Sequence, residues 1–282
     1  MKVKAVIINV LVFLVIIIGI LSIVLLYSFN QGYAQRLGTA VKDNSITRLE
    51  KILSQPGNIN SKPYMIELDR TNFPALHTAC HEVNFAAVKL LVEHGADVNN
   101  TKSTKNTSPL IASLSSPGFS EDRLWLYGKR FEIAEYLVNQ GAEVNYRDFH
   151  GSTALSYALR SNVAPKNIEV EQRQFDFVMF LLEKGAEPDQ IGGYGHLIFE
   201  AAACNNVKIL EYLIKVEGVD INLQNSAQYS PLMFASQGNC LEAAEYLLRN
   251  NADRTLKNKD GDTALNLALE YDRLEIIPLL QK

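Results

Sequence analysis

Residues 93–99 read Glu-His-Gly-Ala-Asp-Val-Asn, and the same pattern returns further along the chain. Its later copies lie at 139–145, 183–189, 216–222 and, in shortened form, 250–253. Gly185, Gly218 and Asn251 occupy one position of the pattern and follow each other at intervals of 33 residues. A fixed period of this length indicates a repeat protein in which each unit is one supersecondary motif.

A second marker opens the units. Its copies are Pro74-Ala75-Leu76-His77, Ser108-Pro109-Leu110, Thr153-Ala154-Leu155, Ser230-Pro231-Leu232 and Thr263-Ala264-Leu265. Between the two markers, apolar residues recur at i, i+3 and i+4 in two short stretches, which predicts a pair of short helices. The glycine or asparagine after the second stretch is typical of a helix C-cap, which needs a left-handed residue.

Both markers resemble the Thr-Pro-Leu-His and Gly-Ala-Asp-Val-Asn signatures of the ankyrin repeat, and the resemblance covers residues 34–282. It implies an all-α fold, an ankyrin-repeat solenoid of about seven helix-turn-helix repeats with β-hairpin loops. Residues 34–60 are predicted to form a polar N-terminal capping repeat, and 61–282 to hold repeats two to seven. Two short helices cannot bury their apolar faces alone, so stacking between neighbouring repeats must supply the core.

Two insertions interrupt the period, at about 115–127 and 161–173. Both fall at the turn between the two helices of a repeat, in adjacent repeats, so we expect them to lie side by side on one edge of the array. Insertions in repeat proteins often build a binding face. The first insertion contains Trp125, the only tryptophan of the chain.

Ankyrin-repeat proteins usually bind through their hairpin tips and the exposed side of the first helix, and aromatic residues and arginine dominate binding hot spots. The resemblance therefore implies two groups of protein-binding candidates. The insertion group is Trp125, Phe119, Tyr127 and Arg123, and the hairpin group is Arg147, Phe149, Tyr194, Tyr229 and Lys259. Two alternatives stay open: the insertion packs on its own repeat, or the hairpin rings fold back on their own hairpins.

The N-terminal residues 5–27 contain no charged side chain. About 20 apolar residues span a hydrocarbon layer of ~30 Å as a helix, so this segment is predicted to be a transmembrane helix. Lys2 and Lys4 precede it, while the first charge after it is Arg36, which places residues 1–4 in the cytoplasm and the repeats outside.

Residues 28–35 are predicted to be a linker between this signal anchor and the repeats. Within the linker, Gly32-Tyr33-Ala34 has the small-x-Ala form of a signal-peptide cleavage site. Two localisations stay open. The chain is either a single-pass protein of the cell inner membrane with a periplasmic repeat domain, or a cleaved and soluble periplasmic protein.

Composition and motifs argue against other classes of function. The formal net charge of -4 gives no basic excess for a nucleic-acid partner. The chain has no phosphate loop, no nucleophile elbow, no Cys-x-x-Cys pair and no His-Glu-x-x-His motif, so we expect no enzymatic activity, cofactor, metal or small-molecule substrate. His77 and His81 are spaced for metal binding, but the ankyrin resemblance gives His77 a structural role.

An exported ankyrin array resembles bacterial inner-membrane proteins that carry a periplasmic repeat domain. The expected function is that of a membrane-tethered protein-binding module outside the cytoplasm, with an immunity or inhibitor role against a secreted toxin or effector. Two alternatives remain: an assembly scaffold or accessory factor for an envelope enzyme, and a host-directed ankyrin effector. The expected partners are proteins and, through residues 5–27, the membrane.

Overall fold

The computed structural model describes residues 2–61, 73–101, 106–115, 124–160, 168–188 and 195–281. Regular structure in these ranges is helical, and none of their residues lies in a β-strand. The described chain divides into two compact units, Met1–Asn106 and Thr107–Lys282. The predicted all-α architecture is therefore confirmed.

Helices follow one another in pairs. The first unit contains α1 (Lys2–Lys42), α2 (Ile46–Leu53), α3 (Ala75–His81) and α4 (Phe85–Glu93). The second unit contains α5 (Pro109–Leu114), α6 (Leu124–Asn139), α7 (Ala154–Arg160), α8 (Ile168–Glu183), α9 (Leu197–Ala203), α10 (Val207–Lys215), α11 (Pro231–Gln237), α12 (Leu241–Arg249), α13 (Ala264–Glu270) and α14 (Ile277–Leu280). Within each unit every odd-numbered helix packs against the even-numbered helix that follows it.

The short first helix of a pair lies in the centre of the core. In α11, six consecutive residues from Pro231 to Ser236 are buried, because α9, α12 and α13 pack around this helix. The second helices are amphipathic, and α4 buries only Ala87, Val88 and Leu91. Stacking thus supplies the apolar cover that one helix pair lacks.

The residue that closes the second helix adopts the predicted left-handed conformation. Gly95, Gly141, Gly185 and Gly218 have φ angles of +86°, +90°, +86° and +68°, and Asn251 has a φ of 66°. An L-residue with a Cβ atom is strained in this region, which explains the choice of glycine or asparagine.

The described loops between repeats are turns and contain no strand. In residues 148–152 two backbone hydrogen bonds close the turn, from Asp148 N to Ser152 O at 3.1 Å and from Gly151 N to Asp148 O at 2.9 Å. The predicted β-hairpin loops are therefore hairpin-shaped turns without a ladder of backbone bonds.

The interval predicted to be a linker, 28–35, is helical, because α1 is one helix of 41 residues that runs through it. Its C-terminal part is the first helix of the predicted capping repeat and packs against α2 and α3. The interval contains no proline, and a single glycine at position 32 does not end a helix that is held by packing. By length and composition, Val15–Lys42 contains enough apolar helix to cross a membrane.

The two predicted insertions are partly helical. Helices α6 and α8 have 16 residues each, against nine in α4, α10 and α12. Residues 124–127 and 168–173 therefore extend the second helices at their N-terminal ends, whereas 116–123 and 161–167 lie outside the described residues.

These two long helices pack against each other. The rings of Phe131 and Phe177 stack with centroids 4.4 Å apart. Arg173 donates two hydrogen bonds to the carboxylate of Glu135, from Nη1 at 2.7 Å and from Nη2 at 2.8 Å. The helical parts of the two insertions thus belong to neighbouring helices.

Candidate protein-binding surface

The turn at residues 148–152 is fixed by one side chain. Asp148 Oδ1 accepts hydrogen bonds from the backbone N–H groups of His150 at 2.8 Å and Ser152 at 2.9 Å. Asp148 Oδ2 accepts a third bond from the Tyr157 hydroxyl at 2.8 Å. A short polar side chain that bonds the backbone two and four residues ahead holds the turn in one conformation.

The same device recurs in later repeats. Asn225 Oδ1 accepts from Ala227 N at 3.0 Å and Tyr229 N at 2.9 Å. Asn258 Oδ1 accepts from Asp260 N at 3.0 Å and from Asp262 N at 2.8 Å. The tips of these three turns are therefore defined surfaces built on a rigid scaffold.

Phe149 lies at the tip of the 148–152 turn. Its side chain is 81% exposed, more than any other large apolar side chain that the structure describes. Its only described ring neighbour is His150, which contacts it edge-on with centroids 5.6 Å apart. Of the two alternatives for Phe149, the structure shows the exposed ring.

Tyr229 occupies the corresponding region of a later turn but is half-buried. Its ring packs against Phe234 of α11 with centroids 5.4 Å apart, and Phe234 in turn contacts Phe199 at 5.4 Å. Of the two alternatives for Tyr229, the structure shows the folded-back ring, so its exposed contribution to binding is small.

The other sequence candidates divide by position. Arg147 and Lys259 are exposed, and the Lys259 backbone N–H bonds Ala227 O of the preceding turn at 3.2 Å. Trp125 and Tyr127 lie in the first turn of α6. Phe119, Arg123 and Tyr194 lie outside the described residues.

Asparagine side chains set the spacing of successive loops. Asn145 Nδ2 donates to Gly185 O at 2.8 Å, and its Oδ1 accepts from Glu187 N at 3.0 Å. Asn222 Oδ1 accepts from Asp253 N at 2.8 Å. The last residue of the Gly-Ala-Asp-Val-Asn pattern therefore bonds the same pattern in the next repeat.

Family models match two parts of the chain. A model of the ankyrin repeat matches residues 71–103, and a model of three copies of the ankyrin repeat matches residues 198–282. The chain contains ankyrin repeats. Proteins built from ankyrin repeats are typically non-enzymatic binding modules, so protein binding is the coarse function of this chain.

Relatives share these ankyrin repeats over part of their length. Alpha-latrocrustotoxin-Lt1a of Latrodectus tredecimguttatus is 24% identical over 259 residues, which is 86% of this chain and 17% of the toxin. Ankyrin repeat and SOCS box protein 6 of Homo sapiens is 32% identical over 172 residues, which is 61% of this chain and 36% of that protein. The chain thus spans little more than a third of the latter and less of the former.

Glu200 and Arg160 form an ion pair that the sequence analysis did not predict. The Glu200 side chain is 1% exposed, and its Oε1 accepts from Arg160 Nε of α7. Arg160 Nη1 also donates to Ser152 Oγ at 3.3 Å, which ties the 148–152 turn to α7 and α9. Burial raises the pKa of Glu200, and the charge of Arg160 opposes that effect.

A sequence signal for this pair existed. Glu200 stands four residues after the N-cap of its helix, where the ankyrin repeats that follow have Phe234 and Leu267. A carboxylate is rarely buried without a partner, so its presence at an apolar repeat position calls for a cation from a neighbouring repeat.

Described cysteines and histidines favour packing roles. Burial raises the pKa of the Cys80 thiol. The pKa of the Cys204 thiol is raised to about 12, mainly by burial and further by the charge of Glu200. Both thiols are therefore neutral at ordinary pH. His77 is buried and stacks on Phe73 with centroids 6.3 Å apart. In the part of the chain that the structure describes, no group of three or more His, Cys, Asp or Glu side chains could hold a metal ion.

Proposed function

We propose that this chain is a membrane-tethered ankyrin-repeat module, without enzymatic activity, that binds a protein partner outside the cytoplasm through the tip of the 148–152 turn. The main support for this binding site is the 81% exposure of Phe149, which lies on a turn held by three hydrogen bonds to Asp148. A rigid, exposed aromatic ring loses little conformational freedom on binding.

Neighbouring charges add specificity to this surface. Arg147 is exposed two residues before Phe149, and Arg160 reaches the turn through Ser152. An apolar anchor beside guanidinium groups suits a partner pocket with an apolar floor and an acidic rim.

The membrane tether rests on α1. Val15–Lys42 is long and apolar enough to cross a bilayer, and the positive charges of Lys2 and Lys4 favour a cytoplasmic N-terminus. This topology places the repeats in the periplasm of a cell with an inner membrane. There the module acts as an immunity or inhibitor protein for a secreted toxin or effector.

The testing experiment is crosslinked co-purification of the full chain from its native membranes, followed by titration of the captured protein against the purified module. Phe149→Ala should weaken binding about 30-fold, because a hot-spot truncation costs about 2 kcal/mol. Tyr271→Ala is the matched control, since this ring is 42% exposed in the last helix pair, and it should leave the affinity unchanged.

The identity of the captured protein decides between roles. A single exported toxin or effector supports an immunity role, whereas several envelope enzymes would indicate a scaffold or accessory factor. Exclusive capture of cytosolic or host proteins would overturn the topology and favour a host-directed effector. Unchanged affinity in Phe149→Ala would overturn the assignment of the 148–152 turn.

A further inference from the structure

Helix α1 changes its surroundings abruptly at one point. From Val15 to Phe29, which is 47% exposed, most of its large apolar side chains face outward. The next residue, Asn30, already contacts the first repeat, because its Oδ1 accepts from the backbone N–H of Asn58 at 3.1 Å. No spacer separates the exposed part of the helix from the docked part.

From Tyr33 onward the helix is part of the repeat core. Tyr33 is 2% exposed, and Ala34 and Leu37 are fully buried. Gly57 faces the Tyr33 ring so closely that a Cβ atom there would overlap it. Arg36 Nη1 donates to Gln55 Oε1 at 3.1 Å, which joins the helix again to the loop after α2.

The exposed part of α1, which we name the stem (residues 15–29), is apolar on every side. Large side chains that are more than 45% exposed occur on all sides of the helix: Val15, Ile16, Ile18, Ile20, Leu21, Ile23, Val24, Leu25, Leu26, Tyr27 and Phe29. A partner helix would cover one stripe, whereas a helix that is apolar all round needs an apolar solvent. The occupant that fits the stem is the hydrocarbon layer of a bilayer.

We propose that the stem and the first helix of the capping repeat are one uncleaved, uninterrupted element, which holds the first repeat directly against the bilayer surface. This inference rests on the proposed membrane tether. At a rise of about 1.5 Å per residue, the helix advances only ~6 Å from Phe29 to Tyr33, which is roughly one helical turn. The capping repeat therefore begins at the lipid headgroups.

Retention of the stem follows from the same contacts. The cleavage pattern Gly32-Tyr33-Ala34 lies inside the docked helix, and cleavage after Ala34 would remove two buried core residues together with the Asn30 bond. A protease needs an extended, accessible segment, which this helix does not offer. The structure thus favours the membrane-anchored form over the cleaved form.

The first test maps the N-terminus of the full chain, expressed in a bacterium with active signal peptidase, by intact mass spectrometry. We expect the mass of the unprocessed chain in the membrane fraction. A major species that begins at Gln35 would overturn this inference together with the membrane tether, while leaving the proposed protein-binding surface of the ankyrin repeats unaffected.

The second test measures height above the bilayer. A spin label at Gln35→Cys, an exposed position of α1, is reconstituted with the full chain in phosphatidylcholine–phosphatidylglycerol vesicles that contain a nickel-chelating lipid. We expect strong relaxation of the label by the headgroup nickel. A Gly-Ser-Gly-Ser insertion between Phe29 and Asn30 should reduce this relaxation several-fold, and the unsubstituted chain gives the background from native cysteines.

Equal relaxation with and without the insertion would overturn the fixed junction. Flotation with the vesicles and resistance to alkaline carbonate extraction are measured on the same samples. A chain that neither floats with the vesicles nor resists carbonate extraction has no membrane tether, and this result would overturn the proposed function. A chain that does both but shows no effect of the insertion would overturn only the fixed junction.

Discussion

Gly57 lies against the ring of Tyr33, and a Cβ atom at position 57 would overlap three carbon atoms of that ring. This contact joins α1 to the loop after α2 and makes the C-terminal part of α1 a component of the capping repeat. Gly57→Ala should therefore lower the free energy of unfolding by about 1–3 kcal/mol, the usual cost of overpacking. Thermal unfolding of the full chain in detergent micelles measures the change.

Gly38→Ala is the matched control for this substitution. Gly38 lies in α1, the helix that also contains Tyr33, and an added Cβ at position 38 would contact nothing within 4 Å. Alanine favours the helix by up to about 1 kcal/mol over glycine, so this variant should be as stable as the parent chain or more stable. Equal stability of both variants would contradict the close packing of Gly57 on Tyr33.

Val83 is a β-branched residue in the left-handed region, with a φ of 55° at the turn between α3 and α4. The corresponding turns of other repeats have Asn44, Asn205 and Asn239 at φ angles of 51°, 56° and 54°. Asparagine tolerates this conformation, whereas valine is strained there. Val83→Asn should raise the free energy of unfolding by about 1 kcal/mol, as measured by chemical denaturation.

Val216→Asn is the control for Val83→Asn, since it shows whether replacing valine by asparagine changes stability where the backbone is not strained. Val216 is exposed, whereas Val83 is half-buried, and the φ of Val216 is -98°. Its replacement should change stability by less than about 0.5 kcal/mol, because no strain is relieved at an exposed site. A gain at position 216 as large as that at position 83 would refute the role of the left-handed turn.

Asn145 connects two loops through both ends of its amide, to Gly185 O and Glu187 N. Asn145→Ala should cost about 1–2 kcal/mol for two partly exposed hydrogen bonds. It should also speed hydrogen exchange of the Glu187 amide. Asn222→Ala is the control, since it should act on the Asp253 amide, its own partner, and leave the Glu187 amide protected.

The repeat pattern predicted the helix pairs and their caps, because each is a local feature that recurs with a fixed period. Gly95 and Asn251, the left-handed residues that follow the second helices, could be identified from position alone. The extent of α1 was not predictable, because the contacts that dock it are made by residues distant in sequence: Gly57 against Tyr33, Asn58 with Asn30 and Gln55 with Arg36. Long-range packing overrode the local signal.

The same distinction applies to the candidate surface. Phe149 and Tyr229 look alike in sequence, as aromatic residues in equivalent turns. Phe149 directly follows Asp148 at the tip of its turn and contacts the ring of His150 there. Tyr229 lies four residues after Asn225, where its ring packs against Phe234 of α11. The repeat spacing alone does not predict how a side chain of a turn packs against a neighbouring helix.

Arg160 and Glu200 form the pair that links the 148–152 turn to the core of the second unit. Arg160→Ala should lower the free energy of unfolding at pH 7 by about 3–5 kcal/mol, because it leaves a buried carboxylate uncompensated. Replacing both residues, as Arg160→Ala with Glu200→Leu, should restore most of the loss, since leucine occupies the corresponding position 267. Denaturant unfolding of both single variants and the double variant gives the coupling energy.

The pH dependence of this pair has a definite sign. Burial raises the pKa of Glu200 above its ordinary value of 4.5, so the folded chain holds this proton more tightly than the unfolded chain. The contribution of Glu200 to stability is therefore fully present below pH 4.5 and is lost as the pH rises through the folded pKa. Glu200→Gln should remove this decline, and Arg160→Ala should steepen it, because the cation that opposes the shift is gone. Urea unfolding of the three proteins from pH 4 to pH 8 tests the sign, and a parent chain that gains stability from Glu200 as the pH rises would contradict the burial effect.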